Sequence, residues 1–366
     1  MDLTRIAAQR LGNEHLIGAP LGSLVETVSW FAAVQAQDYG GSKWGLAQRM
    51  APSVTDALLD RDFDDAAILR THVLRPTWHF VTPTDIRWLL ALTGPRVQAK
   101  NEGRYRQLDL DPATLRKGVR VIVNALEDAN SLMRTEIADI LERSRISPDG
   151  QRMPYLLMYA ELEALICSGP RKGKQHTYAL LDERVPAARP IDREAALAEL
   201  SKRYFTSHGP ATAHDFSWWS GLTMRDAREG VALNGDGLCT EEIGGRPFHF
   251  SPTTGSRPTR LRTPTVHLLP NYDEYLVAYQ DYSPVFDADR LGHPDRAAPA
   301  LQGHIVVLNG QVIGGWHRAV RTDRVEIDVD LLIEVSDIEW KAVQRAATGY
   351  ARFMGRPRAE LTRVSS

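Results

Sequence analysis

Residues 23–42 read SLVETVSWFAAVQAQDYGGS, and residues 73–81 read VLRPTWHFV. In the first stretch Leu24, Val28, Phe31, Ala32 and Val34 recur at three- and four-residue intervals, which predicts an amphipathic helix over 23–36. Gly40 and Gly41 are poor helix formers that supply the backbone freedom of a turn, so that helix is expected to stop at 38–42. The second stretch is rich in β-branched and aromatic residues, and Pro76 confines it to a sheet edge or a bulge. With further helical patterns at 3–11 and 54–60, the order is helices followed by a short ribbon, the grammar of a winged helix.

The same grammar recurs outward along the chain, in residues that are barely similar. Between 131 and 182, Arg134 to Leu141 lead into an apolar helix through Tyr155, Leu156, Tyr159, Leu162 and Ile166, then a turn at Gly169-Pro170 and a strand over 175–180. Between 192 and 250, Ala213 to Leu222 lead into a helix from Met224 to Val231 and then into paired β segments ending at Phe250. Residues 84–130 predict two connecting helices, one after Pro83 and one after Asp111-Pro112, where proline suits a first helical position. Beyond Pro264 the pattern turns to β, with Asn309-Gly310 between two β-branched runs as a two-residue hairpin signal and an amphipathic helix at 337–353. The expected organisation is a winged helix over 1–83, connecting helices over 84–130, winged helices over 131–190 and 191–260, and a C-terminal β domain with a closing helix over 261–366.

Composition narrows the partners. With 44 Lys plus Arg against 46 Asp plus Glu the formal charge is -2, so any nucleic-acid surface must be a local basic patch. The opening residues, MDLTRIAAQRLG, contain no apolar stretch suited to a signal peptide or membrane span, and a cytoplasmic protein is expected. Cys167 and Cys239 make no disulfide framework and have no zinc spacing, and neither GxGxxG nor GxxxxGK[ST] occurs. Arg96, Lys100, Arg104 and Arg106 lie along one predicted helix, and Arg171, Lys172 and Lys174 precede the second ribbon. Such clusters neutralise phosphates without reading sequence, although the plainer reading of any one of them is a solvated face.

Four segments taken together, Val34 to Tyr39, the Leu74 to His79 ribbon, Trp218-Trp219-Ser220-Gly221-Leu222 and Leu269 to Tyr275, resemble the winged-helix DNA glycosylases typified by AlkZ and YcaQ, over nearly the whole chain. The resemblance implies a mainly α fold with β wings: three tandem winged-helix motifs plus a C-terminal β-barrel-like domain, forming a concave DNA surface. It also implies monofunctional removal of alkylated purines from double-stranded DNA, with no cofactor and no metal. A monomer is the expectation for a one-chain clamp, nucleoid-associated when bound to DNA. The family's catalytic signature is Gln-x-Gln in the AlkZ-like branch and Gln-x-Asp in the YcaQ-like branch, and Gln35-Ala36-Gln37 matches the first. The AlkZ-like branch includes enzymes that unhook interstrand crosslinks of the azinomycin type, so the resemblance also implies a repair or self-resistance role.

The chemistry of the pair can be tested against physical rules. Residues two apart on a regular helix point to different faces, so the helix must end or distort near Gln37. An amide is no strong base, but its carbonyl accepts a hydrogen bond and orients a water. It therefore suits an activated leaving group. An N7- or N3-alkylated purine is cationic and departs as a neutral base, without the acid that glycoside hydrolysis ordinarily needs. Positioned water and a carbonyl dipole then suffice. Gln35 and Gln37 are the candidate catalytic residues, and Asp38 is placed to assist electrostatically or, the favoured reading, to cap the turn. Arg75 and His79 are candidates to face DNA from the ribbon, with a histidine packed on Trp78 an equal reading, and Trp218 and Trp219 read as core. Tyr272 and Asp273 match the family motif without an assigned role. A Schiff-base lyase step is not expected, Lys43 being the nearest amine.

Two rivals remain. A non-catalytic winged-helix DNA-binding protein, such as a transcriptional regulator, needs a helix reading base edges and often a dimer, against three unlike units in one chain. A hydrolase built on His214 and Asp215 lacks an accompanying Gly-x-Ser-x-Gly elbow or metal spacing.

Overall fold

The computed structural model describes residues 3–188, 190–255, 263–286, 291 and 303–364. It opens with α1 (Leu3–Asn13) and α2 (Leu24–Phe31). Helix α2 starts where Ser23 Oγ accepts from the Glu26 amide and stops at Ala32, whose φ of 65° turns the chain out of the helix. The helix predicted over 23–36 is therefore too long, and Val34–Gln35 form strand β1 instead. Gly40 and Gly41 do not make a turn either. They lie in the first turn of α3 (Tyr39–Ala47), which Asp38 caps. The reason is packing: a Cβ on Gly41 would fall 2.5 Å from Asp38 Oδ2 and 3.1 Å from Pro270 Cβ, and one on Gly45 would fall 2.7 Å from Asp273 Oδ2. The bare helix face lets segment 270–273 close in, which offsets the cost of about 1 kcal/mol that each helical glycine carries.

Helix α4 (Asp56–Asp64) precedes β2 (Leu69–His72) and β3 (Trp78–Val81), and the first sheet runs β1-β3-β2, antiparallel throughout. The ribbon pattern at 73–81 splits, because residues 73–77 are the loop between these strands and Pro76 sits in that loop. Two long helices follow, α5 (Ile86–Gln107) and α6 (Pro112–Leu126), the latter capped by Asp111 with Pro112 at its first position. Next come β4 (Leu132–Met133), α7 (Arg134–Arg143), α8 (Arg152–Leu162), β5 (Ile166–Ser168) and β6 (Thr177–Leu180), in a sheet ordered β4-β6-β5. Ile166, expected at a helix end, begins a strand. After α9 (Leu181–Arg184), a third group packs α10 (Arg193–Ser207), α11 (Ala213–Ser220) and α12 (Met224–Asn234) with the hairpin of β7 (Cys239–Ile243) and β8 (Arg246–Phe250).

The C-terminal part holds α13 (Pro252–Gly255), β9 (Val266–Leu269), α14 (Glu274–Val277), β10 (Ile305–Leu308), β11 (Gln311–Val320), β12 (Val325–Leu331), α15 (Asp337–Phe353) and β13 (Ala359–Val364). Asn309 and Gly310, at φ 51° and 87°, make the β10–β11 turn. The expected barrel is not found. Among the described residues the sheet runs β13-β12-β11-β10-β9 and stays open at β13 and β9. Its apolar face has no need of closure, because other elements cover it: Tyr350 of α15 packs against Trp316, and Tyr350 and Phe353 pack against Trp44 of α3. Trp44 Nε1 also donates to the Leu268 carbonyl at 2.6 Å, so the first unit and the C-terminal sheet share one core. Among the described residues no helix is long and apolar enough to cross a membrane.

Candidate functional site

Gln35 lies in β1, an edge strand, and the backbone accounting there shows what holds the Gln-Ala-Gln segment. On the inner side Gln35 lies opposite His79, and the Ala36 amide donates to the Trp78 carbonyl at 2.7 Å. The outer side of an edge strand leaves polar groups that must find partners when buried. Three side chains supply them. Glu274 Oε1 accepts from the Gln35 amide at 2.6 Å, Ser42 Oγ donates to the Gln35 carbonyl at 2.8 Å, and Arg70 Nε donates to the Ala36 carbonyl at 3.0 Å. Strand β1 ends at Gln35, and Gln37 lies in a bend just before α3, so neither glutamine is helical. The conflict posed by a helical Gln-x-Gln thus disappears, since α2 has already ended before Gln35.

The two glutamines sit in different surroundings. Gln35 is buried and its Oε1 accepts from Arg75 Nη2 at 2.7 Å. Gln37 is exposed, and its Oε1 takes a long 3.4 Å contact from the Trp78 amide. Arg75 belongs to the β2–β3 loop, which is wedged against Gly221: at φ 70° and without a Cβ, Gly221 lets the Leu74 carbonyl come within 2.4 Å of where a Cβ would stand. Arg96 Nε and Lys100 Nζ both donate to the Gly221 carbonyl, at 2.6 and 3.5 Å. Among the described residues no carboxylate makes an ion pair with Arg75, Arg96 or Lys100. Burial, then the like charges of Arg96 and Arg75, hold the Lys100 amine below its ordinary pKa. Burial also lowers that of Arg75, against the opposing charge of Glu274. Three cations thus gather around Gly221 without an ion-paired carboxylate among the described residues, which leaves a local excess of positive charge next to the Arg75–Gln35 contact.

Several expected site residues are placed elsewhere. His79 is fully buried on the central strand of the first sheet, its Nδ1 2.9 Å from the Thr77 carbonyl, and burial with the Arg75 charge pushes its pKa down to about 3. The expectation that it faces a duplex fails for that reason. Arg171 is engaged by Asp60 at 2.7 Å and Asp64 at 2.8 Å, tying α4 to the β5–β6 turn, and Lys172 pairs with Glu136 at 3.1 Å. Lys174 is exposed. Arg104 donates to Gln107 and Gln151, and Arg106 lies 3.8 Å from Glu102. Lys43 is buried between Asp56 at 2.6 Å and Asp60 at 2.5 Å. The structure therefore gathers Arg75, Arg96 and Lys100 around Gly221, with Arg75 alone touching a glutamine, and ties Arg171 to α4 through Asp60 and Asp64.

The acidic and aromatic positions divide likewise. Asp38 caps α3 through the Gly41 amide at 3.1 Å, with Arg318 Nη2 3.8 Å from its other oxygen. Asp273 caps α14 and grips the buried Arg49 with both oxygens, at 2.8 and 2.9 Å. Tyr272, at φ 63° and 41% exposed, lines a cavity of about 390 Å³ with Asn271, Leu276, Val277 and Tyr282. Trp219 is core, giving Nε1 to Glu274 Oε2 at 2.9 Å. Trp218, read as core, is 46% exposed, with the Arg75 guanidinium 5.9 Å from its ring centroid. Adjacent helical positions point about 100° apart, so only one of the two can face inward. Asp215 caps α11 and accepts from the Gln280 amide, and exposed His214 lines a separate cavity of about 610 Å³. Among the described residues no group of three or more His, Cys, Asp or Glu is arranged to hold a metal ion.

Glu274, Ser42 and Arg70 were not legible as site residues. The one available signal was Glu274 inside the LPNYDEY run, an acid among aromatic and apolar neighbours, and nothing there tells its target. The family model described as DNA glycosylase AlkZ-like matches residues 28–353. The solved structure of Streptomyces sahachiroi DNA glycosylase AlkZ superposes with a TM-score of 0.80 at 21% sequence identity, covering 100% of each chain, a likeness of fold. No curated protein sequence matches the chain.

Proposed function

We propose a reaction for a chain that belongs to the DNA glycosylase AlkZ-like family: hydrolysis of the N-glycosidic bond of a purine carrying a cationic N7- or N3-alkyl group in double-stranded DNA. The observation that carries it is a pair of amides two residues apart, Gln35 locked onto Arg75 and Gln37 open to solvent, with Arg75, Arg96 and Lys100 gathered nearby and free of ion-paired carboxylates among the described residues. Arg75, Arg96 and Lys100 receive phosphates flanking the lesion. The two amides hold a water against C1′.

The balance of the step is simple. The water oxygen bonds to C1′ as the C1′–N bond breaks, the bonding pair leaves with the base and cancels its charge, and one water proton passes to solvent. No acid is required at the leaving group, in keeping with a site whose two central side chains are amides. Lys43 is clamped by two carboxylates, which leaves it unfit to form a Schiff base, and the reaction stops at the abasic site. The exposure of Gln37 favours tolerance of bulk on the lesion, so interstrand crosslinks fall within the proposed range and a base need not be turned fully into an enclosed pocket.

The test is a duplex with one N7-methylguanine, and a second with an interstrand crosslink through N7 positions, incubated with chelator and then alkali. Strand cleavage by the wild type, lost in Gln35→Ala and Gln37→Ala, is the expected result. Tight DNA binding with no abasic product on either duplex would overturn the catalytic reading and leave a DNA-binding protein.

A further inference from the structure

Arg75 does more at this site than add positive charge. A guanidinium offers donors and no acceptor, so the atom of Gln35 that faces it must be the amide oxygen. That oxygen lies 2.7 Å from Arg75 Nη2. The Gln35 backbone is fixed from the other side, its amide by Glu274 Oε1 and its carbonyl by Ser42 Oγ, so the residue has little freedom to turn. Arg75 itself is restrained by the Gly221 contact and the Trp218 ring, and its Nε is buried without a hydrogen-bond partner. Gln37 has no such lock. Its oxygen takes only the long contact from the Trp78 amide and keeps accepting capacity on the exposed side.

We propose that Arg75 is a positioning residue that holds the Gln35 oxygen inward, so that Gln35 presents its –NH2 as a donor while Gln37 presents its oxygen as the acceptor. The inference rests on the glycosylase reading above and assigns unlike roles within its pair. A water accepting from Gln35 Nε2 and donating to Gln37 Oε1 keeps one lone pair free for C1′, whereas two acceptors would bind both its hydrogens and leave its oxygen unguided. The pair orients the nucleophile without a base, which is the contribution that positioning makes to such a reaction.

Single-turnover excision of N7-methylguanine at saturating protein tests this, with urea unfolding run on each variant. Gln35→Glu keeps an oxygen for Arg75 but turns a second acceptor outward, and its rate is expected to fall about 100-fold, the usual effect of removing one oriented donor. Gln37→Glu keeps the acceptor and is expected to lose no more than about 10-fold. Arg75→Met frees the amide and should match the first loss, with Arg75→Lys recovering at least about 10-fold over it through its single donor. Equal losses in the two glutamate variants, a larger loss in Gln37→Glu, or a lysine variant no better than methionine would overturn the assignment while an active wild type left the glycosylase reading intact. The two glutamate variants decide the matter even if Arg75→Met fails to fold. A wild type inactive on this duplex would overturn both readings together.

Discussion

Replacing Glu274 by glutamine changes one atom in a buried carboxylate, and the structure says what that atom is worth. Glu274 is 2% exposed and uses its two oxygens for two different donors: Oε1 takes the Gln35 amide at 2.6 Å, and Oε2 takes the Trp219 indole at 2.9 Å. His208 Nε2 lies 3.4 Å from the second oxygen. Glutamine has a single oxygen, so one of the two donors must face an –NH2 group. A buried donor left unmet costs about 1–3 kcal/mol, and the surviving bond loses its charge assistance, about 1 kcal/mol more. Glu274→Gln is thus expected to destabilise by about 2–4 kcal/mol, a large share of the 5–15 kcal/mol typical of a folded domain. The assay is urea unfolding at pH 7, read as a lower midpoint at unchanged slope. Glu199→Gln serves as the control. It breaks a half-exposed pair with Arg203 at 2.6 Å, one turn away on the same helix, and should cost less than about 1 kcal/mol. A Glu274→Gln protein within about 0.5 kcal/mol of wild type, or no worse than the control, would refute the reasoning.

Three further outcomes are expected. Lys100→Met removes one charge from a cluster of like charges with no ion-paired carboxylate among the described residues, so the protein should be no less stable while the slope of log affinity for duplex DNA against log salt shrinks by about 0.9; a stability loss at unchanged DNA affinity would count against a phosphate seat. His79 is held at about 3 against an ordinary 6.5, so between those values the unfolded chain binds a proton that the native state does not, and stability falls as pH drops. His79→Phe should therefore remove about 1.4 kcal/mol per pH unit from the acid limb of the unfolding free energy, and an unchanged limb would contradict a buried neutral ring. Borohydride added during excision should trap no protein–DNA adduct, since Lys43 is held by Asp56 and Asp60; a trapped adduct lost in Lys43→Ala would reinstate a lyase step.

The sequence carried the helices of strong period and clear caps, such as α6 behind Asp111-Pro112, and the Asn309-Gly310 turn, because those signals are local. It misread places where tertiary contacts override propensity. Gly40 and Gly41 looked like a turn, yet they start a helix that needs bare positions at Gly41 against Pro270 and at Gly45 against Asp273. Val34 and Gln35 continued a helical period by residue type, while their backbone is claimed by β3, Glu274 and Ser42. At the site, the Gln pair was legible through its motif. Its supports were not, because Glu274 reaches Gln35 across 239 residues and Arg75 across 40. Charge alone misled at Arg171, whose acidic partners on α4 lie more than 100 residues away in sequence. The placement of His79 failed for a similar reason: β-period says which residues alternate, and not that β3 is the central strand of its sheet.

The most direct measurement is release of free base under single-turnover conditions from a duplex bearing one N7-methylguanine, by wild type and by the Gln35→Ala/Gln37→Ala double variant at protein concentrations that saturate binding for each. The account predicts stoichiometric release by the wild type and, from a double variant that still folds and binds the duplex, a rate at least about 100-fold lower. Release at the wild-type rate by the double variant would contradict it, by showing that the base is removed somewhere other than the Gln35 and Gln37 amides.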